Sequence, residues 1–133
     1  MKLTPKEHAL IRGAIRRVFS RSDLRRSVIE AALITHQDPS RPRVKRWGRC
    51  NLCQIPTPKS YLEVDHIKPV IKVTEKAIDV PVHTFIERLW CDKDNLQAVC
   101  IICHKSKSIF ENRERRIKKK VKRKRRANGG FPL

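Results

Sequence analysis

The chain has 133 residues, the size of one domain, and with 39% hydrophobic, 5% aromatic and 34% charged residues its core must be modest. No apolar run approaches the roughly 20 residues of a membrane span, and charges interrupt "MKLTPKEHALIRGAIRR", so neither a membrane protein nor a secretory signal is expected. The net charge of +19 sits on the flanks: 13 Lys/Arg against 4 Asp/Glu over residues 1–49, 11 against 1 over residues 113–133, and 8 of each between, the layout of a neutral core gripping a polyanion from two sides.

In chain order, Thr4 and Pro5 open a helix in which Ile11, Ile15 and Val18 recur at helical spacing, with Arg12, Arg16 and Arg17 turned largely away. A second helix starts near Ser22 or Asp23, with Leu24, Val28, Ala31 and Ala32 as its buried stripe and Arg25 and Arg26 outside. "THQDPSRPRVKRWG" has no periodicity and reads as a basic linker carrying Arg43, Lys45 and Arg46, with His36 an isolated surface histidine. "RCNLCQIPTP" reads as a metal knuckle and a Pro-rich turn, and "YLEVDHI" as a strand. The segment from Lys68 to Asp94 is long for a hairpin loop and should hold its own helix, with Val82, Ile86, Leu89 and Trp90 on one face. "NLQAV" is a second strand. A knuckle and a long helix follow, with Ile109, Phe110, Ile117 and Val121 as a thin apolar side and "ANGGFPL" as the stop.

The cysteines belong in a reducing compartment, so a cytoplasmic, intracellular location is expected and metal ligation is considered before disulfides. Cys50/Cys53 and Cys100/Cys103 form two C-x-x-C pairs separated by 46 residues. Four thiolates from two knuckles suit one closed, tetrahedral structural Zn²⁺, which clamps the segment between them. A small, highly charged domain often needs such a staple. Cys91 is unpaired and reads as a core thiol. A four-thiolate site has no open position, so any chemistry must come from elsewhere.

Asp65, His66, Asn95 and His104 remain. Neighbours on a strand point to opposite faces, so Asp65 and His66 can share a site only where the strand ends or bends, which Pro69 favours. Cys103 and His104 diverge by about 100° at the start of a helix, so one can face zinc and the other a second site, with Lys107 on nearly the same face as His104. A carboxylate and an imidazole are a sparse ligand pair of the kind Mg²⁺ tolerates beside substrate phosphates. A nearby non-ligand histidine is then free to act as a base.

"EVDHIKPV", "DNLQAVC" and "CIICHKSK", in this order and framed by the two C-x-x-C pairs, resemble the HNH endonuclease family (His-Me finger, ββα-metal), in particular its zinc-stapled members from bacteriophages and mobile elements. The resemblance covers about residues 50–110. It implies an α+β fold: a small ββα-metal core with a four-cysteine zinc site, flanked by N-terminal helices and a basic C-terminal helix. The divisions expected are a basic helical segment over residues 1–35, a linker over 36–49, the core over 50–112 and a basic helix or tail over 113–133. The resemblance also implies His66 as general base, Asp65 and His104 as ligands of a catalytic Mg²⁺ or Mn²⁺, and Asn95 as a residue positioning base and loop. Lys107 matches a basic position where phosphate contact is expected. Double-stranded DNA is the implied partner, gripped by Arg12, Arg16, Arg17, Arg43, Lys45, Arg46, Lys118, Lys119 and Lys122. Homing, packaging beside a phage partner such as a terminase, and degradation of host DNA all fit the resemblance. Many members carry a glycine pair after the Asp-His-x-x-Pro stretch; this chain has no Gly between Gly48 and Gly129 and offers "VHTFIERLW" instead, with His83 on that helix.

The alternative is a non-catalytic zinc-stapled DNA-binding protein, which fits zinc and charge equally but leaves the intact Asp65, His66, Asn95 and His104 unexplained. An RNA-binding zinc protein fits less well, because Trp47, Tyr61 and Trp90 form no stacking motif.

Overall fold

The computed structural model describes residues 2–129; residues 130–133 of the expected helix stop lie outside them. It is a mixed fold of four helices and two small antiparallel sheets. No helix among the described residues is long and apolar enough to cross a membrane.

Helix α1 (Pro5–Ser20) begins with a full capping box: the Glu7 amide donates to Thr4 Oγ1 at 3.2 Å and the Thr4 amide to Glu7 Oε2 at 2.7 Å. Its buried residue is Phe19 rather than the expected Val18, which is 63% exposed. The larger ring takes the core and thereby sets the rotation of the helix. That rotation also brings two of the arginines expected to face away against the protein. The Arg16 guanidinium lies 5.1 Å over the Phe85 ring, and Arg12 Nη1 donates to Ala77 O at 3.5 Å. Helix α2 (Asp23–Ala31) is capped by Ser22 and buries Ile29, while Ala31 of the expected stripe is exposed.

The end of the N-terminal segment and the end of the segment read as a linker each supply a strand. β1 (Leu33–Ile34) pairs with β2 (Trp47–Arg49), which pairs with β3 (Pro56–Pro58). Strands of two and three residues are too short to show a period, and β3 holds two prolines that lack an N–H, tolerable because it is the sheet edge. Trp47 is buried with its ring edge-on to His36, centroids 4.7 Å apart, so His36 is a packing residue. Gly48 is fixed by close approach: a Cβ there would fall 2.3 Å from Leu62 Cδ1 and 3.1 Å from Ala32 O.

The second sheet is the hairpin of β4 (Leu62–His66) and β5 (Leu96–Cys100), registered from Leu62 opposite Cys100 to His66 opposite Leu96. Between them, helix α3 (Val82–Leu89) buries Phe85 and Leu89, while Ile86 of the expected face is 40% exposed. One hairpin face, with Leu62, Val64, Leu96 and Ala98, packs under α1, α2 and α3. Phe19, Val70, Val80, Phe85, Leu89 and Leu96 form the main cluster there, so the N-terminal helices share the core of the central segment. Helix α4 (Ile101–Ala127) follows β5 without a break, crosses the other face and continues for 27 residues. Its expected apolar side stays open, with Ile109, Phe110, Ile117 and Val121 all more than two-fifths exposed.

Candidate metal clamp and catalytic cleft

The two knuckles meet beside the hairpin. The sulfurs of Cys50, Cys53, Cys100 and Cys103 all lie within 4.8 Å of one another. Zn–S bonds of about 2.3 Å in a tetrahedron put sulfurs about 3.8 Å apart, so the four can hold one metal ion with little movement. Each knuckle also turns a backbone amide onto its first sulfur: Cys53 N donates to Cys50 Sγ at 3.5 Å and Cys103 N to Cys100 Sγ at 3.4 Å. Gln54, at φ +63°, makes the tight turn that brings Cys50 N to Ile55 O. Burial pushes the Cys50 thiol up, but hydrogen bonds with the backbone of Cys53, Cys100 and Leu52 outweigh it and bring the thiol down to about 6. The Cys103 thiol is pushed up to about 12, first by the Cys100 sulfur and then by burial. One thiolate forms readily and opposes the last, an imbalance that a cation at the centre removes. Cys91 stands apart, packed on the main cluster with Asn95 Nδ2 3.7 Å from its sulfur.

On the far side of the hairpin a cleft of about 710 Å³ opens between α1–α2, the end of β4 and α4. Asp65 and His66 do point to opposite faces, yet both border this cleft because β4 ends at His66. The His66 ring lies 5.4 Å from the Phe19 ring, which in turn meets Trp90 edge-on at 5.2 Å. His66 Nε2 is 2.8 Å from Leu89 O. A carbonyl can only accept, so Nε2 carries the hydrogen and the neutral ring keeps its lone pair on Nδ1. Burial, the largest influence, holds the ring below the ordinary histidine pKa, so it is neutral at neutral pH.

Asn95 pins the segment that follows. Its Oδ1 accepts from Lys68 N at 2.8 Å, its Nδ2 donates to Lys68 O at 3.2 Å, and its carbonyl accepts from Ile67 N at 2.8 Å. It therefore fixes the exit of β4 without touching the cleft centre.

Asp65 is buried, with Oδ2 accepting from Gln97 Nε2 at 2.8 Å. His104 Nδ1 is hydrogen-bonded to Glu63 Oε2, which leaves Nε2 facing Asp65 Oδ1 at 3.7 Å. Two ligands of one cation at about 2.1 Å and a right angle stand about 3.0 Å apart, so Asp65 Oδ1 and His104 Nε2 would have to close slightly to hold a hard divalent ion between them. Lys107 shares the carboxylate: its Nζ lies 3.0 Å from Asp65 Oδ1, 2.7 Å from His66 O and 3.0 Å from Glu111 Oε1.

Glu63 and Gln97, which lie inside the sequence motifs without an expected role, and Glu111, which lies outside them, complete this arrangement. Glu63 sits two residues before Asp65, which places it on the same strand face, a signal that the alternation of the strand carries. Of the residues expected on nucleic acid, Arg16 borders the cleft, while Arg17, Arg43, Lys118, Lys119 and Lys122 are exposed. Arg12 is held at Ala77, Lys45 Nζ donates to Pro42 O at 3.1 Å, and Arg46 pairs with Glu30 at 2.8 Å. His83 is exposed on α3. Arg25 and Arg115, which the sequence does not set apart from the other basic residues, also line the cleft. Compared with models of known protein families, with curated proteins and with solved structures, the chain matches none.

Proposed function

We propose that the chain is a metal-dependent DNA endonuclease of HNH type, whose ββα-metal core is β4, β5 and the first turns of α4, stapled by one structural zinc. The observation that carries this reading is the single cleft lined by His66, Asp65 and His104. A neutral imidazole tethered through one nitrogen to a carbonyl presents a fixed lone pair, the requirement for a general base. His66 takes the proton of a water that attacks phosphorus in line, leaving a 5′-phosphate and a 3′-hydroxyl. Asp65 and His104 would hold Mg²⁺ or Mn²⁺, which supplies positive charge opposite the leaving 3′-oxygen and the phosphoryl oxygens. Asn95 keeps the β4 exit, and so His66, in register. Arg16, Arg25 and Arg115 add positive charge to the cleft walls where phosphates would lie. In the assay, purified protein should convert supercoiled plasmid to nicked or linear DNA only when Mg²⁺ or Mn²⁺ is added. No conversion with either ion sinks the proposal.

One observation favours the non-catalytic alternative. The Lys107 ammonium already balances the Asp65 carboxylate, as a lysine would in a nuclease core kept only for binding. The same plasmid assay separates the two readings.

The basic end of α4 is the proposed grip on the duplex. Removing residues 117–133 deletes eight Lys/Arg and spares the clamp and the cleft. Affinity should fall equally for all sequences, and the log–log dependence on salt should flatten by about 0.9 for each phosphate that is no longer neutralised. Titrating full-length and shortened protein against duplex DNA at several salt concentrations measures this. An unchanged slope means the tail does not touch DNA.

A further inference from the structure

A chain of side-chain hydrogen bonds runs from the metal clamp to the cleft. Asn51 lies inside the first knuckle, between Cys50 and Cys53, and its backbone N donates to Ala98 O at 2.9 Å, tying the knuckle to β5. Its side-chain Nδ2 donates to Gln97 Oε1 at 2.7 Å. Gln97 is buried, and since its oxygen is engaged by Asn51, its Nε2 is turned to donate to Asp65 Oδ2 at 2.8 Å. The orientation of this amide is settled by its two partners, because an ionised Asp65 can only accept there. Asp65 in turn has Oδ2 tethered on the hairpin side and Oδ1 3.7 Å from His104 Nε2, with the Lys107 ammonium 3.0 Å from Oδ1 and 2.9 Å from Oδ2.

We propose that Asn51 and Gln97 are positioning residues that couple the four-cysteine clamp to the catalytic carboxylate, so that a closed knuckle holds Asp65 with Oδ1 presented to the cleft. This rests on the reading of Asp65 and His104 as ligands of a divalent ion. The physical basis is geometric. A carboxylate on a strand can rotate about its last bond; the Lys107 ammonium reaches both oxygens and does not tell them apart, whereas an N–H donor on one oxygen alone does. Gln97 is that donor on β5, and its own rotation is stopped by the knuckle amide. Outer partners of this kind change metal affinity by about 10- to 100-fold when they are removed.

The test is Mn²⁺ affinity followed by electron paramagnetic resonance in the zinc-loaded full chain, with zinc content and thermal unfolding recorded for every variant. Gln97→Met keeps the volume and removes both hydrogen bonds; it should weaken Mn²⁺ binding about 10-fold or more with one zinc retained. Asn51→Ala, at an exposed position, should weaken it less but in the same direction. In the Gln97→Met background, Asn51→Ala should add nothing, because its effect passes through Gln97. Asp65→Ala is the reference. If Asp65→Ala abolishes binding while Gln97→Met and Asn51→Ala leave it at the wild-type value, the coupling is wrong and the ligand assignment stands. If the wild type binds no Mn²⁺, or Asp65→Ala binds it as the wild type does, the ligand assignment falls and the coupling with it.

Discussion

His66→Ala should cleave plasmid at no more than about one hundredth of the wild-type rate and bind duplex DNA as before. The ring is the only group at the end of β4 that combines a free nitrogen lone pair with a fixed tether, through Nε2 to Leu89 O. Removing it leaves Leu89 O without that donor, which costs about 1–3 kcal/mol if water cannot replace it. Thermal unfolding and zinc content therefore accompany the rate measurement, so that loss of fold is told apart from loss of base. Small amounts of added imidazole should restore part of the rate by filling the space left beside Phe19. A variant that folds and cuts near the wild-type rate removes His66 from the mechanism.

The second large effect concerns the clamp. Elemental analysis should find about one zinc per chain, and mild EDTA should stop cleavage while the protein stays folded, with Mg²⁺ or Mn²⁺ restoring activity. Cys100→Ser should prevent cooperative folding altogether. Structural zinc contributes about 10–16 kcal/mol in small zinc domains, against a total stability of about 5–15 kcal/mol for a typical domain. Cys100 is also the last residue of β5 and the cap of α4, so its loss loosens both. A Cys100→Ser protein that binds no zinc and melts at the wild-type temperature would show that the cluster is not a staple, and zinc alone restoring cleavage after EDTA would break the division between the two metals.

What could be read in advance followed from local rules. The paired C-x-x-C spacing, the capping signals at Thr4 and Ser22, and the alternation in "YLEVDHI" each depend on residues a few positions apart. The errors came from partners distant in sequence. Val18 and Phe19 are both apolar, and only the pocket formed by Val70, Val80 and Phe85 decides that Phe19 is buried. Ile86 and Phe85 pose the same choice. β1 and β2 exist because Ile34 and Trp47 meet across a 12-residue excursion, for which two- and three-residue stretches carry no periodic signal. In the cleft, the residue types with familiar chemistry were legible, while Gln97 became visible only once the register of β4 against β5 put it opposite Asp65, and Glu63, although on the same strand face as Asp65, only once α4 brought His104 to it.

Helix α4 also acts as a ruler. From His104 to Arg126 the chain advances 22 residues, which at about 1.5 Å each is about 33 Å. One turn of B-form DNA measures about 34–36 Å. On the nuclease reading, a helix lying along the duplex would set its terminal arginines about one helical repeat from the bond being broken. The footprint would then be lopsided, reaching a full turn to one side of the cut. A target ending closer than that would be held by the cleft alone, so the length of flanking DNA, and not its sequence, would decide how tightly a short substrate is gripped.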